Sequence, residues 1–247
     1  MALKTILNYS ANFNPKKRIS RQIKFIVFHY TGMKKESDAI NRLTDIQSEV
    51  SCHYLIKNNG EIIQLVPNLY IAWHAGNSSW KNYNFLNKNS IGIEITNPGH
   101  EFGYKKFSNK QISSLLKLSK FLLKKYKISQ KNILGHSDIA PERKKDPGEK
   151  FPWEYLSKNK IGLWHTLKKH ELIKTRTLKT NKNEKEFFFD NLVKIGYLKK
   201  ILKNPNKDSY LKKVIITFQR RFRQELVDGK IDQECLLIST NLLKKYN

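Results

Sequence analysis

Residues 23–29 read IKFIVFH, a nearly continuous apolar run that is rich in β-forming side chains. Such a run is typical of a central strand that is buried on both faces of a sheet. His29 is its last residue, and the sequence HYTG turns the chain away from the strand. The run therefore predicts a buried strand that carries an imidazole at its end.

Two further segments predict strands next to this one. CHYLIK and EIIQLV flank Asn58-Asn59-Gly60, which indicates a hairpin because Asn and Gly tolerate positive φ. SIGIEIT at 90–96 alternates, so its three isoleucines face one side of a sheet while Gly92 and Glu94 face the other. A short apolar strand, NILG, brings His136 to its end.

Helical patterns accompany these strands. SDAINRLTDIQS at 37–48 suits a short helix that is capped by Ser37 or Asp38. A long helix is expected from Ser108 to about Tyr126, with Ser108 and Gln111 as a capping box. The mixture of strands and helices indicates an α/β fold, although the connections are too varied to assign the strand order.

The chain of 247 residues is long enough for one sizeable core with an appendage. We expect a catalytic-type α/β domain over 1–165, a polar and basic linker over 166–183, and a small C-terminal domain of three helices over 184–247. The patterns FFFDNLVKIGYL and VIITFQRRFRQEL predict the first two helices, joined by a loop that contains Pro205, and the third is expected at 232–246.

Composition limits the classes of function. The net charge is +26, from 47 Lys and Arg against 21 Asp and Glu, but it is spread over every segment and accompanies no recognisable nucleic-acid motif. We therefore expect no specific nucleic-acid partner.

No apolar run reaches the about 18 residues of a membrane span, and no export signal is recognisable. We therefore expect a cytoplasmic location, with the periplasm or cell envelope as the alternative. Cys52 and Cys235 are expected to be free thiols.

The loop GHSDIAPERKKDPGEKFPW at 135–153 carries the residues that suggest chemistry. It holds His136, Lys144 and Asp146, and its prolines restrict the backbone around them. Together with His29, two imidazoles and a carboxylate match the ligands of a catalytic zinc site, which keeps one position for water. A purely structural role for these residues remains open, since a histidine at a strand end is commonly a hydrogen-bonded core residue.

Two other polar residues fit such a site. Glu94 is a candidate general base, and Lys144 is a candidate for stabilising the oxyanion of a tetrahedral intermediate. Gly92, on the same strand face as Glu94, is expected to leave room for the backbone of a substrate. Spacing alone does not show whether Glu94 belongs to such a site or is an ordinary glutamate on the protein surface.

Seven co-linear motifs within about residues 22–165 carry a family resemblance. They are IVFHYT, SCHYLI, GEIIQLV, AWHAG, NSIGIEI, GHSDIAP and RKKDPG. Their order and spacing resemble zinc-dependent N-acetylmuramoyl-L-alanine amidases of the AmpD and AmiD type, in the superfamily shared with the peptidoglycan recognition proteins. The resemblance implies a mixed central β-sheet flanked by helices.

The same resemblance implies roles for individual residues. His29, His136 and Asp146 correspond to the ligands of Zn²⁺, Glu94 to the catalytic glutamate and Lys144 to the lysine before the aspartate ligand. Trp73 and His74, in AWHAG, match a segment that lines the substrate cleft. The alternative is that Trp73 is a core aromatic residue and His74 a hydrogen-bonded core histidine. For His53 we favour a structural role.

The tail resembles the three-helix peptidoglycan-binding module. The residues that carry this similarity are Phe218, Gln219, Phe222, Asp228, Gly229 and Asp232. Phe218 and Phe222 are four residues apart on a helix and are expected to be core residues. The resemblance implies a module that either binds peptidoglycan or docks on the catalytic domain.

The predicted function is hydrolysis of the amide between N-acetylmuramic acid, or its 1,6-anhydro form, and L-alanine in peptidoglycan or muropeptides. The alternative is a peptidoglycan-binding protein without catalysis. The expected partners are Zn²⁺ and the peptidoglycan or muropeptide substrate, with a monomer as the default oligomeric state.

Overall fold

The structure, a computed structural model, describes residues 3–199 and 207–246. Its strands are β1 (Ile6–Leu7), β2 (Phe13–Asn14), β3 (Phe25–Tyr30), β4 (Tyr54–Ile56), β5 (Ile62–Gln64), β6 (Ile71–Ala72), β7 (Ser79–Trp80), β8 (Tyr83–Asn84), β9 (Ser90–Ile95) and β10 (Ile133–Gly135). Its α-helices are α1 (Glu36–Thr44), α2 (Asn109–Tyr126), α3 (His136–Ile139), α4 (Trp153–Lys158), α5 (Lys169–Thr175), α6 (Lys182–Ile195), α7 (Lys207–Phe222) and α8 (Gln233–Tyr246).

A six-stranded mixed sheet forms the centre of the fold, in the order β1-β5-β4-β9-β3-β10. Strands β4, β9, β3 and β10 are parallel to one another. Strands β4 and β5 pair antiparallel and form the predicted hairpin. The mixed central sheet flanked by helices is thus confirmed.

Strand β3 lies inside the sheet and is buried along Phe25–His29. Its side chains alternate between two hydrophobic clusters, with Ile26 and Phe28 in one and Phe25 and Val27 in the other. The continuous apolar run therefore reflects burial on both faces, as predicted.

Helix α2 covers the first of these faces. Its capping box forms as predicted, since Gln111 N donates to Ser108 Oγ over 3.2 Å and Ser108 N donates to Gln111 Oε1 over 2.9 Å. Leu115 and Leu118 are fully buried against the sheet. The cap and the apolar face together explain why this helix begins where it does.

The C-terminal unit, defined here as helices α6, α7 and α8, contributes to the hydrophobic cluster on the second face. Phe188 from α6 and Phe218 from α7 are fully buried in the same cluster as Phe25 and Val27 of β3. The fold therefore has three layers, with the sheet between α2 and the C-terminal unit.

Three predicted segments differ from the structure. Helix α1 begins at Glu36 with Lys35 as N-cap, so neither Ser37 nor Asp38 caps it, and it ends at Thr44 before a single 3₁₀ turn. The predicted helices of the C-terminal unit begin several residues earlier, at Lys182 and Lys207. The predicted loop around Pro205 lies outside the described residues.

The segment 166–183, expected as a linker, holds a short helix. It contains α5, whose Leu172 is buried in the second cluster. Arg176, at the end of α5, donates to Glu234 of α8 over 2.7 and 2.8 Å. The segment is ordered by these long-range contacts, which no periodicity in its own sequence reveals.

Cys52 and Cys235 are buried and unpaired, as predicted. Among the described helices, none combines the length and the apolar character that crossing a membrane requires.

Candidate active site

The register of the sheet brings the predicted site residues together. His29 of β3 and Glu94 of β9 are direct partners on adjacent parallel strands, so their side chains share a face. Gly135 of β10 pairs with Phe28 of β3, and His136 follows at once as the first residue of α3. All three lie toward the carboxyl ends of parallel strands, where ligands bind in open α/β sheets.

The loop after α3 returns Asp146 to the same point. The backbone N–H of Ser137 donates to the carbonyl of Asp146 over 2.8 Å and ties this loop to the start of α3. His29, His136 and Asp146 are 1%, 4% and 6% exposed. Three groups from separate segments are thus held in one enclosed place.

Their side chains form a nearly equilateral triangle. Nδ1 of His29 lies 2.9 Å from Nδ1 of His136 and 3.0 Å from Oδ2 of Asp146, and the third side measures 3.1 Å. Ligand atoms about 2.0–2.1 Å from a tetrahedral zinc are separated by roughly 3.3 Å, close to these values. Two imidazole nitrogens and one carboxylate oxygen are a donor set that suits zinc, so the residues fit the ion.

The carbonyl of Ala75 sets the orientation of His136. Nε2 of His136 donates to it over 3.3 Å, and the guanidinium of Arg143 donates to the same carbonyl. Arg143 also donates to the carbonyl of Asn77 over 2.7 Å. Because Nε2 carries the proton in this arrangement, Nδ1 of His136 presents its lone pair to the triangle.

The ionisation of His29 and of Asp146 suits metal binding. Burial and then the neighbouring His136 lower the pKa of His29 to about 4, which leaves it neutral at neutral pH. Burial alone would raise the pKa of Asp146, but His136 and His29 outweigh it and hold that pKa well below its usual range. Neutral imidazoles and an ionised carboxylate are the forms that coordinate metals.

Glu94 lies beside this triad in an environment that favours its neutral form. Burial and then the charge of Asp146 raise the pKa of Glu94 to about 8, while Lys144 opposes the shift. Within the described part of the chain, its shielded Oε2 has no hydrogen-bond partner. A carboxyl group poised near neutral pH can accept and release a proton, as a general base and acid must.

These residues open into a cleft of about 330 Å³. Trp73, His74 and Lys144 line it together with Glu94 and the triad. Arg42, Arg143 and Lys145 also line it, and together with Lys144 these cations outnumber the acidic lining residues Glu94, Glu101 and Asp146. The cleft therefore has the chemistry to take an anionic ligand next to the candidate metal centre.

The expectation for Gly92 is wrong. A Cβ placed on Gly92 would lie 2.3 Å from Cγ of His74, so the space above this glycine is filled by the imidazole and not left for a substrate. The predicted structural role of His53 agrees with its contacts: its Nδ1 accepts from the N–H of Gly92 over 3.0 Å, and Nε2 donates to the carbonyl of Tyr70 over 3.1 Å.

Asp138 is a residue that sequence reasoning missed. Its Oδ2 accepts from the N–H of Gly135 over 2.8 Å and so caps α3, the helix that begins with His136. Its Oδ1 accepts from the hydroxyl of Tyr197 over 2.6 Å, and Arg221 donates to Oδ2. Asp138 supplies only one half of a capping box, because Gly135 has no side chain to accept in return, and the sequence therefore carried only a weak signal for this role.

A buried His–His–Asp triad that could hold a metal ion, beside a carboxyl group and a lysine at the carboxyl ends of a mixed sheet, is typical of metal-dependent hydrolases. Comparisons with known proteins narrow this class. The family model described as N-acetylmuramoyl-L-alanine amidase matches residues 19–149. The chain belongs to this family.

Curated relatives agree with that assignment. The chain is 36% identical to the N-acetylmuramoyl-L-alanine amidase AmiD of Escherichia coli (strain K12), over 91% of this chain and 84% of the relative. It is 42% identical to the 1,6-anhydro-N-acetylmuramyl-L-alanine amidase AmpD of Haemophilus influenzae, over 45% of this chain and 59% of that relative.

Solved structures extend the likeness to the whole fold. The complex of E. coli AmiD with anhydro-N-acetylmuramic acid-L-Ala-D-γ-Glu-L-Lys superposes with a TM-score of 0.77 at 35% identity, covering 91% of this chain and 90% of that chain. AmpDh3 from Pseudomonas aeruginosa in complex with anhydromuramic pentapeptide superposes with a TM-score of 0.77 at 31% identity, covering 94% of this chain and 94% of that chain.

The chain is therefore an amide hydrolase that acts on peptidoglycan material, at the bond between the N-acetylmuramoyl group and L-alanine. The predicted enzyme is confirmed over the alternative of a recognition protein without catalysis.

Proposed function

We propose that this amidase works with a zinc ion held by Nδ1 of His29, Nδ1 of His136 and Oδ2 of Asp146. The observation that carries the proposal is the triangle of 2.9–3.1 Å formed by these three buried atoms. When bound, such an ion acts as a Lewis acid that activates water for attack on a carbonyl.

Glu94 serves as the general base and then as the general acid. Its carboxylate takes a proton from the attacking water and delivers it to the nitrogen that leaves as the amino group of L-alanine. Supporting this role are its register beside His29 and its pKa of about 8, which keeps both protonation states accessible.

Lys144 stabilises the negative charge that develops on the carbonyl oxygen. Lys144 lines the cleft together with Glu94, and it lies two residues before Asp146 in the same loop. A fixed cation in a site that excludes water stabilises a transition state more than it does in bulk water. Trp73 supplies an apolar wall of the cleft for the sugar or peptide.

The substrate proposed here is an anhydro-muramyl peptide or the equivalent end of a peptidoglycan strand. Both related structures described above hold anhydro-muramyl peptides. A γ-linked glutamate leaves its α-carboxylate free, and the cations Arg42, Lys144 and Lys145 along the cleft give that negative group a favourable surrounding.

The C-terminal unit docks on the catalytic domain as its second helical layer. Supporting this role is the single hydrophobic cluster that joins Phe188 and Phe218 to Phe25 and Val27 of the central strand. Phe218 and Phe222 are fully or almost fully buried, and so serve the core. Burial of this extent makes separation into an independent binding module costly.

The test is hydrolysis of a defined anhydro-muramyl tripeptide and of whole sacculi, with products identified by mass spectrometry. Protein stripped with a chelator is compared with protein reloaded with zinc. Release of the stem peptide only after reloading supports the proposal. Equal release by stripped and reloaded protein, or none after reloading, overturns it, and cleavage at another bond overturns the substrate assignment.

A further inference from the structure

The geometry points to a positioning role for Ser90 and His74: they form a hydrogen-bond relay that holds His29 as its Nε2–H tautomer. This inference rests on the metal site proposed above and concerns how the chain prepares one ligand of that site. In this inference His74 both contacts the triad residue His29 and lines the cleft.

The relay begins at a backbone carbonyl. Oγ of Ser90 lies 2.6 Å from the carbonyl oxygen of Leu86. A carbonyl can only accept, so the single hydroxyl proton of Ser90 is used in this bond. Oγ of Ser90 can then only accept from its second neighbour, Nε2 of His74, at 3.0 Å.

The proton assignment passes through His74 to His29. A neutral imidazole carries one N–H, so a proton on Nε2 of His74 leaves its Nδ1 as an acceptor. That Nδ1 lies 3.0 Å from Nε2 of His29, which therefore donates. Nδ1 of His29 is left with its lone pair directed at His136 and Asp146.

The result is a convergence of three acceptors. Nδ1 of His136 is unprotonated for an independent reason, because Nε2 donates to the carbonyl of Ala75. Two lone pairs and a carboxylate about 3 Å apart repel one another, and a cation relieves that repulsion. The relay thus prepares the triad for a metal ion before the ion arrives.

Neighbouring residues keep His74 in place. The side-chain oxygen of Asn87 accepts from the backbone N–H of His74 over 3.1 Å and from that of Ala75 over 2.7 Å. Gly92 gives the ring its space, since a Cβ there would lie 2.3–2.6 Å from three ring atoms. The ring therefore has little freedom to turn and exchange its two nitrogens.

Zinc affinity is the first readout of the relay, measured by competition with a chromophoric chelator. Ser90→Ala removes the acceptor of His74, and His74→Phe keeps a ring over Gly92 but offers His29 no acceptor. His74→Phe removes the partner of a ligand and is expected to bind zinc about 10–100-fold more weakly. Ser90→Ala acts one hydrogen bond further out and is expected to weaken zinc binding in the same direction by a smaller factor. Because both changes break one chain, the double variant is expected to lose no more than His74→Phe alone.

Ser119→Ala is the matched control. Ser119 is fully buried in α2, and in the described residues its Oγ has no hydrogen-bond partner. This variant is expected to keep the affinity of the unmodified protein. Ser90→Ala with unchanged zinc affinity, or losses that simply add in the double variant, would overturn the relay.

The second readout uses the unmodified protein, so it can be made even if a variant does not fold. Nitrogen-15 NMR of the zinc-loaded protein is expected to show His74 as the Nε2–H tautomer, and an Nδ1–H signal would contradict the relay. A failure of the metal proposal itself is distinguishable, because the unmodified protein would then take up no stoichiometric zinc.

Discussion

Arg221 of α7 donates a hydrogen bond to the carboxylate of Asp138, which lies two residues after His136. The same guanidinium donates to the carbonyl of Ile133 over 3.0 Å and lies 4.0 Å from the ring centroid of Trp153. One buried side chain of the C-terminal unit therefore touches β10, α3 and α4. It connects that unit to the strand and helix that carry a proposed zinc ligand.

We predict that Arg221→Met destabilises the protein and also weakens zinc binding. The change leaves the carboxylate of Asp138 buried without its ionic partner, which costs about 3–5 kcal/mol. It also loosens the start of α3, where His136 lies. Urea unfolding measures the stability, and chelator competition measures the zinc affinity of the folded protein.

Arg223→Met is the control for that experiment. Arg223 is buried like Arg221, but its partners Asp228 and Asp232 belong to the C-terminal region itself. Loss of this pair is expected to lower the free energy of unfolding without changing zinc affinity. Equal effects of the two variants on zinc would show that the contact between Arg221 and Asp138 is structural only.

Glu94→Gln is predicted to retain zinc and lose turnover. The amide preserves the size of the side chain but cannot take up the proton of the attacking water. The expected fall in kcat is about 10²–10⁴-fold, measured on an anhydro-muramyl peptide alongside the metal content. Glu101→Gln, on the same cleft, is the control and is expected to keep most of the activity. Full activity of Glu94→Gln would remove Glu94 from the mechanism.

Removal of zinc is predicted to lower the stability of the folded protein. An ion that binds only the folded state adds about 2.7 kcal/mol when its concentration is one hundred times its dissociation constant. A chelator should therefore lower the melting temperature. In His136→Ala, which lacks one ligand, the chelator should produce a much smaller shift. The same shift in both proteins would mean that the ion binds elsewhere.

Local signals were sufficient to predict much of the fold. The apolar run that becomes β3, the Asn-Gly turn between β4 and β5, and the capping box of α2 each depend on neighbours in sequence. His29 and Glu94 could be nominated from strand ends and alternation. Their direct pairing could not, because it depends on which strands become neighbours in the sheet.

Long-range packing explains what sequence reasoning missed. Helix α5 is short and polar, and it is held by Leu172 and by the ion pair of Arg176 with Glu234. The fit of His74 over Gly92 joins residues that are distant in sequence, so the glycine was assigned to the substrate. The two-sided burial of β3 was evident, but nothing local indicated that the C-terminal unit covers one side.

Stability should depend on pH through His165. Its ring stacks on Trp164 with centroids 4.8 Å apart, and burial lowers its pKa to about 4. In the unfolded chain the pKa of histidine is about 6.5. Because the folded-state pKa is the lower one, the unfolded state binds more protons between these values. The contribution of neutral His165 is present above about pH 6.5 and is lost as the pH falls toward 4.

His165→Phe keeps an aromatic ring against Trp164 and removes this titration. Between about pH 4.5 and 6.5 its free energy of unfolding is expected to vary less steeply with pH than that of the unmodified protein, by at most about 1.4 kcal/mol per pH unit. Urea unfolding of both proteins, stripped of zinc so that metal release does not contribute, measures the two slopes. Parallel curves would mean that His165 has the same proton affinity folded and unfolded, and that its burial imposes no electrostatic cost.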